Sequence, residues 1–122
     1  MEEELRRFYA RINESYETAV RYLGNERIIV KTLAKNPLKK GMERIVSSLE
    51  SGNRKDAAGF AEDLCVTAKQ IGFVNYAGLL NEFKKAIESD DAAELGMAYS
   101  MAQKGCDERS TQINELLKII LD

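Results

Sequence analysis

Apolar residues recur along this chain at steps of three and four, and nowhere settle into the step of two that a half-buried strand needs. That spacing, with one proline in 122 residues, confines the chain to helices joined by short turns. Leu5, Phe8, Tyr9 and Ile12 make the first amphipathic stretch, over residues 3–12. Asn13 and Ser15 offer caps for a short helix through Leu23, and Gly24 sits where helices commonly end. Asn25 can cap the next helix, whose apolar face is Ile28, Ile29, Val30 and Leu33. "KNP" stops it, because a residue before proline avoids the helical region, while Pro37 suits the first turn of a new helix.

That helix runs to about Ser51 with Leu38, Met42, Ile45, Val46 and Leu49 inward. "SGN" is a turn, Asn53 caps a helix closed by Gly72, and residues 73–89 follow with Phe73, Tyr76, Leu79, Leu80, Phe83 and Ile87 at helical spacing. Asp91 and Glu94 have the spacing of a capping box for the last helix, on which Leu95, Tyr99, Ala102, Cys106, Ile113, Leu116, Leu117 and Ile120 line up. Gly105 inside it costs about 1 kcal/mol against alanine and points to a bend or close packing. Short connections make neighbouring helices antiparallel. The expected fold is all-α: a four-helix bundle with short additional N-terminal helices. The expected organisation is one domain over residues 1–122, with residues 1–24 as N-terminal helices and 25–122 as the bundle.

Composition narrows the functions. A formal net charge of −2 offers no basic field for nucleic acid. The charged start "MEEELRR" has no signal-peptide core, and no apolar run approaches a membrane span, so a cytoplasmic protein without membrane contact is expected. Cys65 and Cys106 have no metal-ligand spacing and read as reduced thiols. Histidine is absent, which removes the Glu-x-x-His pairs of di-metal carboxylate bundles; no metal or cofactor is expected.

The stretch "FAEDLCVTAKQIGF" carries the candidate site. At about 100° per residue, Ala57, Ala61, Leu64, Ala68 and Ile71 share one stripe, the core face. Glu62 falls about 140° away on the outward side with Lys55, Ala58, Gly59, Val66 and Lys69, and Cys65 at its edge. Asp63 lies on the opposite flank, so the two carboxylates do not cooperate as a glycosidase pair would. Ala58 and Gly59 leave the backbone thinly covered, and a mid-helix glycine suggests something close-fitting.

In order and spacing these pieces resemble the histidine-containing phosphotransfer (HPt) domain, a four-helix bundle that relays phosphate between receiver domains through one exposed histidine. The family motif is roughly A-H-x-L-K-G-x-x-x-x-(I/L)-G; this chain has A-E-D-L-C-V-T-A-K-Q-I-G, with Ala61, Leu64, Ala68, Ile71 and Gly72 at the small, apolar and closing positions. "YETAVRYLGNERIIVKTLAKNP", "LESGNRKDAAGFAE" and "GFVNYAGLLNEFKKAIESDDAAEL" resemble the flanking helices, and the resemblance spans roughly residues 8–116.

The departures fall on the phosphate site. Glu62 stands at the phosphoacceptor position, Cys65 at that of a lysine that helps neutralise the phosphoryl group, and Val66 at that of a glycine that leaves room for it. The resemblance implies a degenerate signalling domain that has lost the relay. It would bind a receiver domain or a histidine-kinase component over Ala58, Gly59, Glu62, Cys65, Val66 and Lys69, with a monomer as the simplest state. The competing class is a structural or scaffolding helical bundle that keeps no docking face.

Overall fold

A computed structural model describes residues 1–121; Asp122, the last residue of the expected domain, lies outside them. Seven α-helices occupy the described residues: α1 Glu2–Arg11, α2 Tyr16–Leu23, α3 Glu26–Ala34, α4 Pro37–Glu50, α5 Arg54–Gln70, α6 Val74–Glu88 and α7 Ala92–Leu121. The fold is an all-α helical bundle. Side-chain caps set its boundaries. Ser15, Asn25 and Asn53 each accept a hydrogen bond from the amide three residues on, satisfying donors that a helix start leaves free. Asn36 does the same for Lys39 from a left-handed conformation, φ 45°, just ahead of Pro37. Asp91 accepts from the amides of Ala93 and Glu94, but its own amide donates to Ser89 Oγ, so the reciprocal half of the capping box is not made.

The four longer helices pack in cyclic order, α4 on α5, α5 on α6, α6 on α7 and α7 back on α4. Contacts between named residues show the neighbours running antiparallel. Arg54, at the start of α5, donates to the Ser89 carbonyl just past α6, while Cys65 near the other end of α5 donates to Ala77 O. Tyr76 Oη reaches Ala102 O, and Phe83 stacks on Tyr99 one turn back along α7. With 30 residues α7 is about 45 Å long, twice α6. Its remaining length packs on α1 and α3, and α2 lies on α5.

One continuous core fills this arrangement, from Leu5, Phe8 and Tyr9 through Ile29, Leu33 and Ile45 to Tyr76, Phe83 and Ile113. Glycines hold it close. Gly72 has φ 83°, accepts from the Ser15 amide at 2.8 Å, and leaves no room for a Cβ, which would lie 2.2 Å from Ser15 O. A Cβ on Gly105 would meet the Tyr76 ring at 3.0 Å, so the mid-helix glycine serves close packing.

Candidate functional site

The core stripe of α5 is as its spacing dictates: Ala57, Ala61, Leu64, Ala68 and Ile71 are buried. Outward lie Lys55, Gly59, Glu62, Val66 and Lys69, all exposed, and Val66 retains 49% of its surface. Asp63 is exposed on the other flank.

Ala58 corrects the sequence expectation. It is buried, with 7% exposure, because α6 leans over that side of α5. The Cys65–Ala77 hydrogen bond, 3.3 Å, marks the direction of the α5–α6 seam. Ala58 lies only about 20° around the helix from Cys65, so its methyl group sits in the seam and not on the open face. Cys65 is half-buried there, and its thiol points at a backbone carbonyl.

Glu62 has a partner that the local sequence does not reveal. Lys84 reaches across from α6, and its Nζ donates to Glu62 Oε2 at 3.1 Å. That hydrogen bond raises the Lys84 ammonium above its usual range. The cation beside Glu62 thus comes from the neighbouring helix and not from α5 itself. The signal was available: an antiparallel hairpin folded about Gly72 sets α5 residues opposite α6 residues at a similar distance past the turn.

The pair closes one side of a shallow groove of about 410 Å³ along the seam. Gly59 opens into it, and nothing lies within 4 Å of where its Cβ would be. Among the described residues nothing fits closely against Gly59. Two further residues of this face escaped the sequence reading. Val74 and Gly78 on α6 fall about 60° and 100° around from Ala77, on the solvent side. Val74 is 41% exposed, and a Cβ on Gly78 would also meet open space. Each helix thus brings an exposed valine and an uncovered glycine to the same outer face.

Chemically this face holds the Glu62–Lys84 ion pair, the exposed lysines Lys55 and Lys69, uncovered glycine backbone and two valines. Among the described residues, the Cys65 thiol at its edge donates to a backbone carbonyl and not to a base. Among the described residues no three His, Cys, Asp or Glu side chains gather closely enough to hold a metal ion, and no helix is long and apolar enough to cross a membrane. In comparisons with protein-family models, curated proteins and solved structures, nothing matches this chain.

Proposed function

We propose that this chain is an HPt-like signalling domain that binds a receiver domain, or a histidine-kinase component, without carrying phosphate. The observation that carries the reading is Gly59. Glycine within a helix costs about 1 kcal/mol against alanine, and here no part of the fold uses the space it leaves. A glycine kept open beside an exposed valine is what close approach by a partner's surface calls for. Gly78 and Val74 repeat the combination on α6.

Relay chemistry has no support from the side chains. Imidazole passes a phosphoryl group well near neutral pH, and the chain has no histidine. Glu62 could form only an acyl phosphate, and its carboxylate is engaged by Lys84. Its single negative charge is weaker than the −1.5 to −2 of a phosphorylated hydroxyl side chain, for which it is a crude imitation at best.

The test is titration of candidate receiver domains against the intact protein, with Gly59→Arg as the obstructed form. Loss of binding in that variant is expected; binding that ignores it removes the proposed surface. A phosphorylated receiver should leave no stable label on the chain, and a labelled species would overturn the inactive reading.

A further inference from the structure

Across the core from the Glu62 face, α4 and α7 leave a second and larger groove, about 670 Å³. Its floor is apolar, built from buried Met42 and Cys106 with Val46 and the Tyr99 ring more open to solvent. The burial of Cys106 pushes its thiol up, so the floor carries no charge near neutral pH. Each wall is one helical stripe. The α4 wall runs from Lys39 to Glu50, about 16 Å, and the α7 wall from Tyr99 to Asn114, about 22 Å. The groove is therefore elongated, three to four helical turns in length.

Its rim is acidic. Among the described residues Glu43 and Glu50 line one wall and Asp107 the other, against the single cation Lys39. Among the described residues none of these three carboxylates has a basic partner within ion-pair distance. Unpaired like charges along both edges of an apolar trough repel one another and favour a ligand of opposite sign.

We propose that the α4–α7 groove binds a basic amphipathic helix from a partner protein. Its length and apolar floor match a helix laid in a groove, with anchors at i, i+3/4 and i+7 seated over Met42, Val46 and Tyr99. Lysine or arginine on the flanks of that helix meets Glu43, Glu50 and Asp107, and the exposed Tyr99 ring can face one of those cations. This site stands independently of the Glu62 face, because the α4–α7 and α5–α6 seams lie on opposite sides of the ring.

The experiment uses the intact protein and a fluorescein-labelled synthetic helix of about 14 residues, long enough for the groove. One peptide has leucine anchors and lysine flanks; its sister has glutamate flanks. Anisotropy titrations compare the native chain, Glu43→Lys/Asp107→Lys, and a charge-matched control, Glu3→Lys/Glu17→Lys; all four positions are exposed. The lysine peptide should bind the native and control proteins at least about tenfold more tightly than the groove variant, and the glutamate peptide correspondingly weakly. Amide shifts should centre on Val46 and Gln103. Equal loss in both charge variants, no saturable binding of the lysine peptide, or shifts centred elsewhere would overturn the proposal.

Discussion

Glu62 and Glu14 are both glutamates paired with a basic residue from a distant helix, and they have opposite consequences. Glu62 makes one hydrogen bond, to Lys84, and its side chain keeps 62% of its surface. Glu14 has none of its side chain exposed. Its Oε1 accepts from the Asn75 amide at 2.8 Å, and its Oε2 accepts from the Tyr76 amide at 2.9 Å and from Arg109 Nε and Nη2. It thus caps the first turn of α6 from the loop after α1 and ties both to α7. Tyr76 completes the cluster, its ring 5.0 Å from the Arg109 guanidinium. The residue that draws attention as chemistry is exposed and held by a single ion pair. The residue that braces the fold carries no motif.

Removing the carboxylate at the buried end should have the largest effect. Glu14→Ala leaves Arg109 buried without a counter-charge and uncaps α6, for an expected loss of about 3–5 kcal/mol in chemical denaturation. A loss below about 1 kcal/mol would erase the contrast with Glu62.

Alkaline pH probes the same end. Burial raises the hydroxyls of Tyr76 and Tyr9 and the thiol of Cys106 above the values of 10.0 and 9.0 that they have when unfolded. The folded chain therefore holds protons that the unfolded chain has released. Stability is intact below about pH 9 and falls as pH rises. Past pH 10 it falls by about 1.4 kcal/mol per pH unit for each tyrosine. Denaturation midpoints between pH 7 and 11 would show it, and a flat profile would contradict the burial of these groups.

Two mid-helix glycines should split in sign. Gly59→Ala, with open space around the new methyl group, should stabilise by about 0.4–1 kcal/mol. Gly105→Ala pushes on Tyr76 and should destabilise. The smallest effect is expected at the ion pair itself: Glu62→Gln should change stability by no more than about 0.5 kcal/mol. A larger loss would make Glu62 a structural residue and weaken its assignment to a docking face.

What was legible in the sequence was local. Ser15, Asn25 and Asn53 cap the helices assigned to them, and Gly24 and Gly72 take positive φ where helices end, because these roles depend on neighbours within four residues. The outward placement of Glu62 and Val66 followed from 3.6-residue geometry alone. Ala58 failed because helix geometry gives a direction without saying where the next helix leans. Lys84, 22 residues from Glu62, follows from the register of the α5–α6 hairpin and not from local spacing, while the Glu14–Arg109 clamp spans 95 residues and has no such register. No propensity records such separations. The groove between α4 and α7 belongs to the same class, since it exists only once two distant stripes are brought face to face.

The clamp also sets an order of events in time. Glu14 is made early, Tyr76 lies 62 residues later and Arg109 lies 95 residues later. At about 5–20 residues per second, on the order of 5–20 s pass on the ribosome before Arg109 exists. The α5–α6 hairpin, with its turn at Gly72, needs no residue beyond Glu88 for its own pairing. Through that interval Glu14 lacks its buried counter-charge, and α1 and α3 lack the α7 surface on which they pack. A nascent chain halted after α6 should therefore show a protected α5–α6 hairpin and a protease-sensitive α1, and extension through Arg109 should protect both.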